Sequence, residues 1–293
     1  MYKQIDSNKQ RTVMLMIIFS VFVIVIGYFL SQYTQLGYSA IVLAIIVSLF
    51  MSLISYYQGD KVALTSTGAK PLDKEANLEI YRLVENLCIT AGLPTPKVYI
   101  INDPAPNAFA TGRDPQHASI ALTTGLIEKL TRPEIEGVIA HELSHIKNYD
   151  IRLMMVVIVL VGIVAILSDI FIRATMFGGR KSDNKNSGGA MLIIGLVLMI
   201  LSPFIAKIIQ LAISRKREYL ADADGALLTR YPDGLASALE KIASYKEPMQ
   251  RTSAATAHLF ISSPLSGKKS LANLFATHPP INDRINKLRQ MTA

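Results

Sequence analysis

One stretch of sequence decides both the fold and the chemistry: Val138-Ile-Ala-His141-Glu142-Leu-Ser-His145-Ile-Lys-Asn-Tyr-Asp150. On an α-helix, His141 and His145 project from one face, about one turn apart. That spacing allows both imidazoles to reach a single tetrahedral zinc ion at about 2.0–2.1 Å. Glu142 lies slightly off the pair, where its carboxylate can accept a proton from an activated water without binding the metal. The alternative is a helix with two histidines and an ordinary surface glutamate.

The residues around this stretch predict a well-started helix. Thr131 and Glu134 have the spacing of a capping box, and Pro133 is tolerated in a first helical turn. No proline or glycine separates His145 from Met154, so the same helix is predicted to run on into the apolar residues that follow. The histidine pair is therefore predicted to lie in a helix, next to an apolar run.

Composition indicates a membrane protein. Apolar residues make up 51% of the 293-residue chain, and the mean hydropathy is +0.33. The net charge is +8, but the positive charges largely flank apolar runs, and no basic run is interleaved with aromatic residues as in a nucleic-acid surface. Cys88 is the only cysteine, so a disulfide within the chain is excluded, and a reducing, cytosol-facing location fits.

Four apolar runs predict membrane helices, at residues 13–30, 37–57, 153–171 and 190–213. The first run is longer than the usual signal-peptide core of about 7–15 residues, and no clear cleavage site follows it. Because the N-terminus is basic and the turn after the first run is neutral, the N-terminus and the chain beyond residue 57 are predicted to lie in the cytosol.

The loop between the third and fourth runs is too basic for an outside loop. Its charges are Arg173, Arg180, Lys181 and Lys185 against Asp183. The two runs therefore either both cross the bilayer or form a hairpin packed in or on the membrane. Either way an even number of crossings keeps His145 and residue 214 on the same side.

These features divide the chain into four parts: a membrane hairpin (1–57), the first half of a soluble domain with the histidine helix (58–152), a second membrane pair (153–213) and the second half of the soluble domain (214–293). The soluble parts are predicted to contain strands at 97–101, 107–112 and 118–123 and helices at 73–91, from 214, from 235 and at 281–291. Residues 246–270 are rich in Ser, Thr, Lys and Pro and are predicted to form a mobile loop.

A catalytic zinc usually has three protein ligands and one open position. Glu218 is the best candidate for the third ligand, because it begins the soluble helix that follows the second membrane pair. Asp222 lies one turn further on the same face and can hold a ligating histidine by its free N–H. The alternative for Glu218 is a surface carboxylate that pairs with Lys216 or Arg217.

Further candidates lie outside these two helices. His278 precedes two prolines and could donate to an oxyanion or pack as a buried loop histidine. Asn107 and Phe109 lie on a predicted strand, to which a peptide could add through backbone hydrogen bonds, or which could be an ordinary sheet strand. His117 and His258 are predicted, from the residues alone, to face solvent. Arg284 could orient a carboxylate or face solvent, and from the residues alone solvent is favoured.

Taken in order, these motifs resemble the HtpX family of membrane-bound zinc metalloproteases of the bacterial heat-shock response, which are related to the CAAX prenyl protease. The resemblance covers essentially the whole chain. Besides the two apolar pairs it depends on Asn107-Ala-Phe109-Ala-Thr-Gly112, His141-Glu-Leu-Ser-His145, Glu218-Tyr-Leu-Ala-Asp222 and His278-Pro-Pro280.

The resemblance implies an α-helical membrane protein, with about four membrane helices and a cytosolic α+β zincin-like metalloprotease domain. It implies one Zn²⁺ per chain and endoproteolysis of misfolded or damaged membrane proteins at the bacterial inner membrane. The implied ligands are His141, His145 and Glu218, with Glu142 as general base, His278 as transition-state stabiliser, Asp222 behind a ligand, and Asn107, Phe109 and Arg284 as active-site or substrate contacts.

Two other functions remain open. One is a narrow processing protease of the prenyl type, although four apolar runs are too few to enclose a membrane chamber. The other is a zinc-stabilised membrane scaffold without catalysis. Glu142 argues against the scaffold, because a structural zinc site needs no base and usually fills all four positions with protein ligands.

Overall fold

The computed structural model describes residues 2–33, 37–163, 215–252, 256–264 and 279–291. His278, the basic segment 172–189 and the whole fourth apolar run lie outside the described residues, as does the end of the third.

Two long helices form an N-terminal hairpin, α1 (Tyr2–Tyr33) and α2 (Tyr38–Ser66). They approach closely, because Gly27 faces Ala40 and Ala44 with no room for a side chain. Within the described ranges, only these two helices are long and apolar enough to cross a membrane. Their outer faces remain exposed and apolar, as at Ile17 and Leu49, which is the surface that lipid would cover. Both helices extend beyond the apolar runs that predicted them.

A four-stranded sheet follows, in the order β1-β2-β4-β3. Its strands are β1 (Lys70–Pro71), β2 (Lys97–Ile101), β3 (Ala108–Gly112) and β4 (Ala118–Thr123), with helix α3 (Leu78–Ala91) between the first two. β2 runs parallel to β4, whereas β3 pairs with β4 in the antiparallel direction and forms one edge. The three predicted strands are confirmed, while β1 was not predicted.

Helix α3 begins five residues later than its apolar spacing predicts. Residues 74–77 form a turn instead, and Asp73 Oδ1 accepts a hydrogen bond from the backbone N–H of Glu75 in that turn at 3.0 Å. An aspartate that binds the backbone two residues on competes with helix formation, so the helix begins only at Leu78.

The helix with the two histidines is α5 (Arg132–Lys147), which follows the short α4 (Thr124–Lys129). Its predicted capping box is present, and Glu134 Oε2 accepts from the backbone N–H of Thr131 at 2.7 Å. The prediction that α5 continues toward the membrane is wrong. Tyr149 has a φ of 59°, a left-handed conformation that stops the helix, and a separate helix α6 starts at residue 150.

Helix α6 is described from 150 to 163 and packs against the N-terminal hairpin. Val156 and Leu160 form a buried cluster with Phe19 of α1, and Met155 lies against Gly59 of α2. The start of the third apolar run is therefore packed against the two N-terminal helices.

Three more helices complete the soluble part: α7 (Arg215–Thr229), α8 (Pro232–Ser244) and α9 (Ile281–Arg289). Two glycines allow α7 and α8 to pack closely on α5. A Cβ on Gly225 would lie 3.0 Å from the backbone N of His141, and one on Gly137 would lie 2.7 Å from the backbone N of Leu235. Close packing at these two points brings α7 directly beside the histidines.

The segment 256–264 is not the loose loop that composition predicts. It lies against strand β3, because the backbone N–H of Ile261 donates to the carbonyl of Ala108 at 2.9 Å. His258 is buried, with Nε2 3.5 Å from the carbonyl oxygen of Met154, so the prediction that it faces solvent is wrong. The side chain of His117 is 52% exposed, as predicted.

Candidate active site

Three buried side chains from two helices converge beside the sheet. The Nε2 atoms of His141 and His145 lie 3.2 Å apart, and the carboxylate of Glu218 approaches them at 3.9 and 3.5 Å. One ligand atom from each residue lies within 4.8 Å of the others, and no other group in the described ranges meets that test. Two imidazole nitrogens and one carboxylate are a donor set that fits a metal ion.

Each histidine is held from behind by a carboxylate. Asp222 Oδ1 lies 3.0 Å from Nδ1 of His141, and Asp150 Oδ2 lies 3.0 Å from Nδ1 of His145. A carboxylate on Nδ1 fixes the ring orientation and leaves Nε2 as the metal-facing atom. The sequence predicts this role for Asp222 but not for Asp150.

The break after α5 explains why Asp150 was missed. On a continuous helix, Asp150 would be rotated about 140° from His145 and would face away from it. Because Tyr149 is left-handed, the chain changes direction there, and the Asp150 carboxylate faces the His145 ring. In the sequence, the only indication of this role is that a carboxylate follows the second histidine by a few residues. That carboxylate faces His145 only if helix α5 ends between the two residues.

Arg284 joins the site from α9. It is 1% exposed and binds Asp222 through two hydrogen bonds, from Nε at 2.8 Å and from Nη2 at 2.7 Å. Its Nη1 donates to the carbonyl of Ile261 at 2.9 Å and lies 3.8 Å from Glu218. The prediction from residues alone that Arg284 faces solvent is wrong, because the buried carboxylates of α7 require a nearby cation.

Arg284 also acts on the charge of Asp222. Burial by itself raises the pKa of this carboxyl, but the charge and hydrogen bonds of Arg284 hold the pKa below its ordinary value. Asp222 therefore stays ionised and remains an acceptor for His141. Arg284 thus acts on the metal centre through Asp222.

Glu142 points from α5 toward strand β3. It is 2% exposed, and the backbone N–H of Ala110 hydrogen-bonds to its carboxylate. Burial raises the pKa of Glu142 to about 7. A carboxyl group that titrates near neutral pH is suited to accept and return a proton.

The two histidines have opposite pKa shifts. Burial lowers the pKa of His141. Burial also acts to lower that of His145, but the hydrogen bond to Asp150 and the charge of Glu218 raise its pKa to about 9. Without metal, His145 therefore carries a proton at neutral pH, and metal binding has to release it.

The remaining predicted contacts lie on and beside β3. Asn107 Nδ2 donates to the carbonyl of Ser262 at 3.0 Å, which fastens the segment 256–264 to the sheet. The Phe109 side chain is fully buried against Phe260, with ring centroids 5.2 Å apart. Its side chain is thus part of the core, and a substrate role for this strand stays a prediction that concerns its backbone.

We expect Asp222→Asn to weaken zinc binding about 10–100-fold, which is the usual cost of losing a carboxylate behind a ligating histidine. The change removes a charge that orients His141 and leaves Arg284 with only the more distant carboxylate of Glu218, at 3.8 Å. Zinc affinity measured by competition with a chromophoric chelator checks this. Asp224→Asn is the matched control, since Asp224 lies on the same helix but accepts from Ser144 at 2.9 Å. Equal losses in both variants would assign the effect to the packing of α7.

Comparisons with known proteins agree with this geometry. Residues 74–292 match peptidase family M48. The chain is 48% identical over 296 residues to a protease HtpX homolog from Caldanaerobacter subterraneus, which covers 100% of this chain and 98% of the relative. It is 45% identical over 303 residues to a protease HtpX homolog from Listeria monocytogenes, covering 99% and 100%.

A crystal structure of Ste24p from S. mikatae also aligns, with a TM-score of 0.48 and 18% identity, over 98% of this chain and 67% of that chain. The family match and the full-length relatives confirm the resemblance that the motifs predicted. The chain belongs to peptidase family M48 and is a membrane-associated metalloprotease similar to the HtpX proteases.

Proposed function

We propose that the chain is a zinc endopeptidase that hydrolyses misfolded or damaged membrane proteins at the bacterial inner membrane. One observation carries the proposal: two imidazole Nε2 atoms 3.2 Å apart meet the carboxylate of Glu218, with the separate carboxylate of Glu142 beside them. Two histidines and one glutamate make a ligand set of catalytic zinc sites, which keep one position open for the reaction. A further carboxylate outside the ligand set is what hydrolysis requires and what a purely structural site lacks.

In the proposed mechanism the metal and the protein side chains have separate roles. Zinc held by His141, His145 and Glu218 would supply a Lewis acid that activates water and polarises the scissile carbonyl. Glu142 accepts the proton of the attacking water and then donates it to the leaving amine, for which a pKa near 7 is well matched. Asp222 and Asp150 hold the two imidazoles in the orientation that presents Nε2.

We further propose how the substrate is held. β3 is an edge strand whose Ala108 end is covered by Ile261, and its residue Ala110 contacts Glu142, so an extended peptide that pairs with the strand beyond Ala108 would pass the base. Asn107 and the backbone of Phe109 would then shape the start of the cleft. By the family resemblance, His278 stabilises the oxyanion of the transition state. For Arg284, the geometry supports a positioning role through Asp222 rather than contact with substrate.

The proposed topology places residues 1–57 and 153–213 in the membrane and residues 58–152 and 214–293 in the cytoplasm. The exposed apolar faces of α1 and α2 support the first membrane pair, and the packing of α6 on them supports the second. In this arrangement the metal centre lies next to the membrane surface. That location favours substrates that are themselves membrane proteins over soluble ones.

The test is zinc-dependent proteolysis by the full-length chain in detergent, with casein as an unfolded soluble substrate. We expect cleavage that stops with a chelator and returns with zinc. A destabilised single-span protein and its stable parent, placed with the protease in one liposome, then test the substrate class, and we expect the destabilised form to be cleaved faster. A protein that binds one zinc but cleaves neither casein nor the destabilised protein would favour the narrow processing enzyme or the scaffold.

A further inference from the structure

The cytosolic end of the first membrane helix reaches the metal centre. Asn8 of α1 is 3% exposed and donates from Nδ2 to Oδ1 of Asp150 at 2.7 Å and to the carbonyl of Asn148 at 2.8 Å. Its Oδ1 accepts from Nη1 of Arg217 at 3.0 Å. Both ends of one amide are therefore hydrogen-bonded, to residues more than 100 positions away in the sequence.

These contacts form a short hydrogen-bonded path to a metal ligand. Asp150 uses one carboxylate oxygen for Asn8 and the other for Nδ1 of His145, at 3.0 Å. Arg217, which precedes the ligand Glu218, lies 3.3 Å from the same oxygen that Asn8 binds. Asn8 thus contacts the carboxylate behind His145 and the residue that precedes Glu218.

The path also spans the break between α5 and α6. The carbonyl of Asn148 has lost its helical partner at the end of α5, and Asn8 satisfies it. On the far side of the left-handed Tyr149, the same amide nitrogen binds Asp150. Lys9, the next residue on α1, lies over the ring of Tyr149 at 4.7 Å from its centroid. Helix α1 therefore contacts all three residues of the turn that directs Asp150 toward His145, namely Asn148, Tyr149 and Asp150.

We propose that Asn8 is a positioning residue for the metal centre, so that docking of the first membrane helix sets the orientation of His145 through Asp150. The proposal rests on the metal site described above. It makes α1 part of the active-site architecture rather than only an anchor. Loss of the amide frees Asp150 to rotate and leaves Arg217 without one of its acceptors, and the His145 ring then loses its fixed orientation.

The test measures metal binding by full-length protein in detergent, in the Glu142→Gln background to prevent proteolysis. Zinc affinity is obtained by chelator competition, and ligand geometry by the visible absorption spectrum of the Co²⁺-loaded protein. We expect Asn8→Ala to weaken zinc affinity about tenfold and to change the Co²⁺ spectrum. Asn8→Asp keeps the shape but has no donors and faces Asp150, so its loss should be at least as large.

The matched control is Gln10→Ala, an exposed position on the same helix, which should bind zinc like the parent. A purely structural role for Asn8 would lower the thermal stability of the metal-free protein but leave affinity and spectrum unchanged in both variants. That result would overturn the proposal. If the parent protein bound no zinc, the proposed metal site itself would be wrong. Failure of the Asn8 proposal and failure of the metal site are therefore distinguishable.

A double-mutant cycle with Asp150→Asn tests the route. If Asn8 acts through Asp150, adding Asn8→Ala to Asp150→Asn should cost little further affinity. Additive losses would contradict the proposed path. Because the cycle compares affinities of folded protein, a variant that fails to give the parent's circular dichroism is replaced by Asn8→Leu, which has a similar side-chain shape and cannot form a hydrogen bond.

Discussion

Glu142→Gln is expected to retain the fold and one bound zinc but to lose about 10²–10⁴-fold in turnover, the usual contribution of a positioned proton acceptor. Glutamine has the shape of glutamate, but it cannot accept the proton of the attacking water. The measurement is kcat for cleavage of casein beside the zinc content of the same preparation. Glu136→Gln on the same helix is the control, because Glu136 pairs only with Arg132 near the surface, at 3.2 Å. Near wild-type turnover in Glu142→Gln would remove Glu142 from the mechanism.

The same substitution has a predicted effect on stability. The pKa of Glu142 is raised from 4.5 to about 7 in the metal-free fold, so the protonated form is the one that folding favours. The Glu142 carboxyl contributes its full stabilisation at pH values below 4.5, its pKa in the unfolded chain. This contribution is lost as the pH rises through about 7, its pKa in the folded protein. We therefore expect metal-free Glu142→Gln to be at least as stable as wild type at pH 8, with the advantage shrinking toward pH 4.5. Thermal unfolding at the two pH values checks the sign.

Glu218→Ala is expected to weaken zinc binding by more than the 10–100-fold that loss of an outer carboxylate costs, because it removes a ligand itself. It also removes a negative charge 3.8 Å from Arg284, which leaves that buried cation with Asp222 alone. Zinc stoichiometry after dialysis and chelator competition measure the effect.

Glu240→Ala is the matched control for Glu218→Ala. Glu240 pairs with Arg289 at 2.6 Å on the surface, where such ion pairs contribute about 0–1 kcal/mol, and it lies on a different helix from the ligands. This variant should retain one zinc and normal cleavage. Stoichiometric, tightly held zinc in Glu218→Ala would exclude Glu218 from the ligand set.

The structure confirms the predictions that depend only on residues close together in the sequence. The spacing of His141 and His145 predicts a shared helix face, and the capping box at Thr131 predicts where that helix begins. The three strands that flank the site were also predicted from short apolar runs bounded by turn residues. Periodicity and capping depend on neighbours within a few residues, so they can be read without a fold.

The roles of Asp150, Arg284 and His258 were decided by tertiary structure. Asp150 faces His145 only because the chain turns at Tyr149, and that turn is held by contacts from α1. Arg284 is buried because α9 brings it onto Asp222, 62 residues away in the sequence. Burial and the pKa shifts that follow from it depend on which distant surfaces exclude water.

The sequence by itself therefore determined the metal-binding motif, the helix that presents it, the membrane character of the N-terminal hairpin and the family. Only the tertiary structure decided which groups hold the two ligating histidines in place. Asp222 and Arg284 lie behind His141, and Asp150 and Asn8 lie behind His145. The physical reason is that ligand spacing is a property of one helix. The hydrogen bonds that orient those ligands join helices that are far apart in the chain and meet only when the core is packed.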